Sequence, residues 1–262
     1  MPRLKLTVAY EGSRYAGWQL QAVKAAEQPA TIQGELERIF AAMVGRRLPV
    51  FGAGRTDAGV HAEAQVCHVD LPEDRQSIDW CWVLNRRLPC DIRVIEAQWV
   101  SPDFHARKNA VRKRYAYSLW MRGDRAPPRV QAFVWSVMPL NLDRMLEAAS
   151  MLTGCRDFAS FQNKGTAQLH TVRTLFSISC RHGWLAGLSC PPDWPLVTFI
   201  YEGDGFLKQM ARNLMGLLVW VGWGKVDPHD VTAFIEARDR NALPSPTAPA
   251  KGLTLLEVLY SL

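Results

Sequence analysis

The chain has 262 residues, 48% of them hydrophobic, and a formal net charge of +6. This length supports one large domain or two smaller ones with a full core. No run of about 18 or more apolar residues occurs, which excludes a membrane-spanning helix, and the first residues lack the apolar segment of a secretory signal. We therefore expect a cytoplasmic protein with no membrane partner.

The six cysteines include no Cys-x-x-Cys pair. Without a secretory signal, an even number of cysteines favours disulfides only weakly. We expect reduced thiols, most of them buried.

The first half of the chain predicts a strand, a helix and further strands. Leu4–Tyr10 alternates apolar and polar residues, which is typical of a strand. Thr31 is a suitable N-cap for a helix that Gly45 ends. The remaining predicted elements here are strands on both sides of residues 52–62, a short helix capped by Ser77 or Asp79 and running to Leu88, and a strand over Ile92–Val100.

The second half predicts a similar succession of elements. Residues 101–108 are irregular, and we place a boundary between residues 1–106 and residues 107–262. The later elements, in order, are a strand over Val111–Leu119, a Pro-rich loop over Arg122–Arg129, a short strand over Ala132–Val137, a helix from Asn141 to Gly154, strands over Thr171–Cys180 and Leu196–Tyr201, a long apolar helix over Phe206–Trp220, a short helix near His229–Arg238 and a strand over Leu253–Leu259.

Strands and helices alternate loosely in both halves, and many neighbouring strands can pair antiparallel. This pattern predicts an α+β fold in which two similar halves surround a largely antiparallel sheet with helices packed on it. A basic cleft between the halves is the expected active site.

A basic band lies in the middle of the chain. Between His105 and Arg129 there are eight basic residues and one acidic residue, a local charge of +7, and these are Arg107, Lys108, Arg112, Lys113, Arg114, Arg122, Arg125 and Arg129 against Asp124. Such an excess is the electrostatic footprint of a polyanion partner. A solvated basic face without a partner gives the same pattern, so both interpretations stay open.

The stretch Gly52–Ala62 carries three glycines around Arg55, Thr56 and Asp57, and it includes His61. Glycines let another chain approach closely, and chemically active side chains on such a loop indicate a working site. Asp57 either takes part in catalysis or forms an Asx-turn with its own backbone. Arg55 either reaches a phosphate or a displaced base or is a surface charge. Thr56 and His61 bind substrate or stiffen the turn.

Motif spacing excludes common nucleotide sites. The phosphate-loop spacing is absent, a strand rather than a helix follows the glycines, and no dinucleotide fingerprint occurs. His61-Ala-Glu63 resembles the first half of a zinc deaminase signature, which Pro89-Cys90 continues. Arg93 stands where the last cysteine ligand belongs, so we expect no metal.

Two residues of the second half have a structural and a functional interpretation. Tyr115 alternates with Tyr117 inside the basic band, and such aromatic residues either fill a core or stack on bases. Arg212 lies in an otherwise apolar helix. A buried cation there needs a partner, most naturally a carboxylate, unless Arg212 lies on the exposed side.

Several segments together resemble the tRNA pseudouridine synthase A family over nearly the whole chain. Gly54–Ala62 is similar to the family's catalytic loop, which is its most specific motif. The other similar segments are Phe104–Arg107 with Arg114–Tyr117, Gly154 with Asp157, Phe158 and Phe161, Phe206 and Leu207 with Met210, Arg212, Asn213 and Gly216, and Ala248–Leu253.

The resemblance implies an isomerase that converts uridine to pseudouridine at positions 38, 39 and 40 of the tRNA anticodon stem-loop. It implies that Asp57 is the essential carboxylate, as nucleophile or as base, and that Arg212 pairs with it. A guanidinium beside a carboxylate favours the ionised form where water is scarce. Tyr115 would stack on the target uracil, and Arg55 would help to hold that base out of the helix.

We expect substrate contacts from Arg55, Thr56, His61, Arg107 and Arg114. An isomerisation needs no metal or nucleotide cofactor, so none is expected. The resemblance further implies a homodimer, with tRNA crossing both subunits.

A non-catalytic RNA-binding protein is the main alternative. It explains the basic band but gives no reason for Asp57 in a glycine-rich loop, and turnover on unmodified tRNA distinguishes the two. A zinc deaminase is the other alternative, and metal analysis of the purified protein decides it.

Overall fold

The computed structural model describes residues 1–21, 29–163, 170–186 and 188–261. The chain forms two compact units. Unit 1 comprises Met1–Val111 with Leu255–Leu262, and unit 2 comprises Arg112–Thr254. A domain boundary at residues 106 and 107 stays a prediction.

Among the residues described, unit 1 combines antiparallel strands with two helices. Its elements are β1 (Arg3–Tyr10), α1 (Ile32–Val44), β2 (Phe51–Gly52), β3 (His61–Asp70), a 3-10 turn at Glu73–Arg75, α2 (Trp80–Asn85), β4 (Ile92–Val100) and most of β12 (Leu253–Tyr260). The strand order is β4-β1-β3-β12, and β2 pairs with β3. β1 pairs antiparallel with both β3 and β4.

Local signals account for β1 and α1. Alternate residues of β1 are buried, as a strand with one face on a core requires. At the start of α1 the Thr31 hydroxyl accepts a hydrogen bond from Gly34 N, and Gly45 ends the helix in the left-handed conformation. Phe40 of α1 packs on Trp80 of α2, with ring centroids 5.1 Å apart. The conformations and contacts of Thr31 and Gly45 confirm both predicted caps of α1.

Unit 2 has its own antiparallel strands and four helices among the residues described. Its elements are nearly all of β5 (Ala110–Met121), then α3 (Pro128–Gln131), β6 (Trp135–Val137), α4 (Leu142–Leu152), β7 (Gly154–Asp157), β8 (Val172–His182), β9 (Trp184–Leu185), β10 (Leu188–Ser189), β11 (Leu196–Gly203), α5 (Met210–Gly222) and α6 (Val231–Glu236), with 3-10 turns at Ala159–Phe161, Pro228–Asp230, Arg240–Ala242 and Ala250–Gly252.

The strand order in unit 2 is β5-β11-β8-β7. Each of these neighbours pairs antiparallel, whereas the short β6 runs parallel to β5. The two units thus confirm an α+β fold with largely antiparallel strands, because each half of the chain alternates strands with amphipathic helices.

Four predicted elements were wrong in their bounds. The short strand predicted over Ala132–Val137 forms only at Trp135–Val137. The apolar helix begins at Met210 rather than Phe206, because Gln209 takes a left-handed conformation with φ 60° and interrupts it. The Pro-rich loop predicted over Arg122–Arg129 ends earlier, because α3 begins at Pro128, and proline is tolerated in the first turn of a helix. Gly154 opens the short strand β7 rather than only ending α4.

The cysteines are all free, as predicted, but the prediction that most are buried was wrong. Cys67 is buried, Cys81, Cys180 and Cys190 are partly buried, and Cys90 and Cys155 are exposed. Among the residues described, no helix has both the length and the apolar character that a membrane crossing requires.

Candidate functional site

The turn that carries Asp57 is held by the segment that follows β1. Trp18 N donates to Thr56 O at 3.1 Å, and Gly59 N donates to Tyr15 O at 3.4 Å. Within the turn, Val60 N donates to Asp57 O at 3.2 Å, while the Asp57 residue stays partly exposed. Two strands and a supporting segment therefore fix the backbone at a carboxylate that solvent or a ligand can reach.

Thr56 and His61 are buried supports of this turn. Thr56 is 7% exposed, and its hydroxyl lies 2.9 Å from the Tyr10 hydroxyl. His61 is 2% exposed, and its Nδ1 accepts a hydrogen bond from Gly12 N at 3.0 Å. These contacts match the alternative in which both residues stiffen the turn, and their predicted contact with substrate stays a prediction.

Close backbone approach explains why a glycine occupies position 17. Its φ is +93°, and a Cβ atom there would lie 2.4 Å from Thr56 O. Neither Gly17 nor Tyr10 was among the residues selected from the sequence as part of the site. The glycine-rich composition after β1 was the available signal. Thr56, whose backbone approaches Gly17, lies about forty residues further along the chain.

Replacing Gly17 with alanine is expected to destabilise unit 1 and to lower activity by moving the Asp57 turn. Gly45→Ala is the matched control, because Gly45 also has a positive φ, of +79°, but a Cβ there meets nothing within 4 Å. Strain alone costs Gly45→Ala about 1 kcal/mol, whereas the clash adds roughly 1–3 kcal/mol for Gly17→Ala. Urea unfolding measures both, and equal losses contradict the packing argument.

Arg55 and Arg107 are exposed cationic residues of unit 1. The segment before Arg107 is anchored by three hydrogen bonds, which run from Arg3 Nη1 to Phe104 O at 2.6 Å, from Ala106 N to His68 Nδ1 at 3.2 Å and from the Tyr260 hydroxyl to Ala106 O at 2.7 Å. Burial lowers the pKa of His68 to about 4, so near neutral pH its imidazole is the uncharged acceptor that this anchoring needs. Because Arg55 and Arg107 are both exposed, both are available to a polyanion.

Tyr115 lies on β5 in unit 2 and is 7% exposed. Its ring meets the edge of Phe206 in a T-shaped contact, with centroids 4.9 Å apart, and it stands opposite Tyr201 of β11. The neighbouring Tyr117 donates its hydroxyl hydrogen to Pro249 O at 2.6 Å. Tyr115 is thus held rigidly by aromatic packing, while its predicted stacking on a uracil stays a prediction.

Arg212 lies in the first turn of α5 and is partly exposed. Its Nε donates to Ala248 O at 2.8 Å, and Ala248 N donates to Arg212 O at 3.2 Å. The loop before Ala248 reaches the helix because position 216 is glycine, where a Cβ would lie 2.1 Å from Pro246 O. The closing loop of the chain therefore orients the guanidinium.

The basic band is partly neutralised within unit 2. Arg114 lies opposite Glu202 in the β5–β11 pairing, and its Nε is 3.7 Å from Glu202 Oε2. Arg112 forms an ion pair with the same carboxylate. Arg122 is 3.4 Å from Asp124. The band therefore presents less uncompensated charge than its count of basic residues suggests, while Arg125 and Arg129 remain exposed.

The structure groups the predicted site residues by unit. Arg55, Thr56, Asp57 and His61 share one supported turn in unit 1. Tyr115, Arg114 and Arg212 belong to unit 2. The predicted pair of Asp57 with Arg212 joins residues of different units and stays a prediction.

The side chains of the zinc deaminase alternative are not arranged as a metal site in the described ranges. Across residues 1–21, 29–163, 170–186 and 188–261, no group of three or more His, Cys, Asp or Glu side chains is placed to hold a metal ion.

Comparison with known proteins shows that the chain is similar to named relatives along its full length. The sequence profile of the tRNA pseudouridine synthase family matches residues 148–261, a range that includes Arg212. The chain is 48% identical to a tRNA pseudouridine synthase A of Lawsonia intracellularis, covering 100% of both chains. It is also 48% identical to proteins of the same name from Oleidesulfovibrio alaskensis, covering 99% of this chain and 97% of the relative, and from Nitratidesulfovibrio vulgaris, covering 99% and 100%.

Proposed function

The chain belongs to the tRNA pseudouridine synthase A family, and from this premise we propose that it isomerises uridine to pseudouridine at positions 38, 39 and 40 of the tRNA anticodon stem-loop. The observation that carries the proposal is similarity along the entire chain, which includes the Asp57 turn as well as the Arg212 helix. The supported, partly exposed carboxylate of Asp57 is consistent with it.

The reaction exchanges one glycosidic bond for another. The bond from ribose C1′ to N1 of uracil breaks, the base turns, and a bond from C1′ to C5 forms. The hydrogen of C5 leaves to solvent and N1 gains a proton, so atoms and charge balance without a second substrate. A cofactor-free protein site with one carboxylate and one or two cations is sufficient for this chemistry.

We assign the catalytic roles to three residues. Asp57 is the essential carboxylate, as nucleophile or as base. Arg212 pairs with that carboxylate and favours its ionised form. Tyr115 stacks on the extruded uracil, for which its rigid packing on Phe206 is a suitable platform.

The substrate contacts follow from charge and exposure. Arg55 and Arg107, both exposed, are assigned to the phosphate backbone or to the space of the extruded base. Arg112 and Arg114 share the single carboxylate of Glu202, so Arg114 contributes to a group that keeps a net positive charge, while Thr56 and His61 hold the turn. We further propose that the enzyme acts in the cytoplasm as a homodimer, and a monomeric mass in light scattering of the purified chain would contradict the dimer.

Mapping of pseudouridine in an unmodified tRNA transcript tests the function. The wild-type protein is expected to convert uridines at positions 38, 39 and 40 and to leave uridines elsewhere unchanged. A transcript in which cytidine replaces the uridines at these three positions is the control and should gain no pseudouridine. Product at other positions would contradict the proposed site preference, and absence of product from every tested tRNA would contradict the activity.

A further inference from the structure

A polar cleft in unit 2 has no role in the mechanism above. Its volume is about 670 Å³, and its lining residues are Asn163, Lys208, Gln209, Arg240, Asn241 and Leu243. Two of these residues are cationic, three carry a side-chain amide, and the described lining contains no carboxylate. A cleft with this composition suits an anion that also accepts hydrogen bonds.

Arg240 is a partly buried cation whose described partners are all neutral. Its Nε donates to Asn163 Oδ1 at 3.0 Å, and Nη2 lies 3.4 to 3.5 Å from oxygens of Asn213, Ser245 and Thr247. The adjacent acid, Asp239, instead accepts hydrogen bonds from Asn241. Burial lowers the pKa of the Arg240 guanidinium, and a desolvated charge without a counter-ion is costly.

The neutral partners hold Arg240 in a defined position. Asn213 is 1% exposed, and its Nδ2 donates to Phe161 O at 2.8 Å and to Asn163 Oδ1 at 3.0 Å. Thr247 Oγ1 donates to Asn213 Oδ1 at 2.7 Å. The guanidinium is therefore preorganised by a rigid network, and Nη1 makes no hydrogen bond within the described part of the chain.

The start of α5 adds positive potential at the same cleft. Lys208 and Gln209 precede Met210, the first residue of this 13-residue helix, and no side chain in the described ranges caps it. The Met210 N–H group already donates to Leu207 O at 3.1 Å, so the helix start attracts an anion through its dipole rather than through this group. Two cations and a helix start thus converge on one cleft.

We propose that this cleft binds a phosphodiester group of the substrate tRNA, with Arg240 as a preorganised donor and Lys208 as a second positive charge. The assignment of the anion to tRNA rests on the proposed function. The two arginines would then have separate tasks, because Arg212 of α5 serves the reacting nucleotide while Arg240, in the 3-10 turn Arg240–Ala242, holds the backbone. Arg240 is accordingly a binding residue and not a catalytic one.

The salt dependence of tRNA binding tests the proposal. Arg240→Gln and Lys208→Gln each remove one charge, and Arg238→Gln is the matched control, because exposed Arg238 pairs with Asp157 at 3.3 Å in the same segment. Each cleft variant is expected to bind unmodified tRNA about tenfold more weakly near 0.1 M salt. The slope of log Kd against log salt should fall by about 0.7 to 0.9, while the control keeps the wild-type slope.

Wild-type affinity and slope in both cleft variants would overturn the proposal. Lys208→Gln keeps the test decisive if Arg240→Gln fails to fold, because Lys208 is exposed. Pseudouridine formation is measured on the same preparations. If the wild type forms pseudouridine and the cleft variants bind normally, the cleft assignment fails while the function stands. If the wild type forms none, the function fails whatever the cleft binds.

Discussion

Replacing Asp57 with asparagine is expected to lower the rate of pseudouridine formation by about 10⁴-fold or more, while tRNA binding and folding persist. Asparagine matches the shape of aspartate and forms the same Asx-turn, so a purely structural Asp57 would tolerate this change. A carboxylate that attacks or removes a proton would not. Single-turnover conversion of unmodified tRNA, with enzyme in excess, measures the loss without interference from product release.

Asp70→Asn is the matched control for the Asp57 variant. Asp70 is another unit 1 carboxylate, but it forms a bidentate pair with Arg3 at 2.7 and 2.8 Å, and the Arg3 guanidinium lowers the pKa of its carboxyl group. Its loss should lower the free energy of unfolding and keep turnover within about threefold of wild type. Full activity of Asp57→Asn would reduce Asp57 to a turn-former and contradict the catalytic assignment.

Replacing Arg212 with alanine is expected to lower turnover by about 10²- to 10³-fold while changing the free energy of unfolding by only about 1 kcal/mol. The residue is partly exposed, and the change removes its hydrogen bond to Ala248 O. Arg212→Lys should restore little, because an ammonium lacks the planar fork that would hold Ala248 O and the proposed carboxylate partner together.

Asn213→Ala provides the opposite pattern for comparison. Asn213 is the buried neighbour of Arg212 and bonds Phe161 O, so its loss should lower the free energy of unfolding by about 1–3 kcal/mol.

A double variant of Asp57→Asn with Arg212→Ala tests the predicted pair. If the two residues act as a unit, the double variant is hardly slower than Asp57→Asn alone. If the two losses of turnover multiply instead, the residues act separately. If Arg212→Ala fails to fold, Arg212 has a structural role.

Much of the local structure could be predicted from the sequence, because its signals involve near neighbours in the chain. The period of two predicts β1, and Thr31 with Gly45 brackets α1, since capping and strand alternation act within a few residues. The apolar helix α5 was predicted, but its first turn was not. Phe206 suits a helix by pattern, yet in the fold it packs on Tyr115, about ninety residues earlier, and Gln209 interrupts the helix.

The sequence by itself determined the family, the α+β class and the identity of the candidate carboxylate, because these depend on motif residues and local periodicity. Only the tertiary structure decided what surrounds them. Thr56 and His61 became buried supports through Tyr10 and Gly12, 46 and 49 residues away. Glu202 reduced the charge of the basic band from a distant strand. Arg240 is held by partners up to 77 residues away. Hydrogen-bond partners and desolvation are properties of packing, so chain neighbours do not determine them.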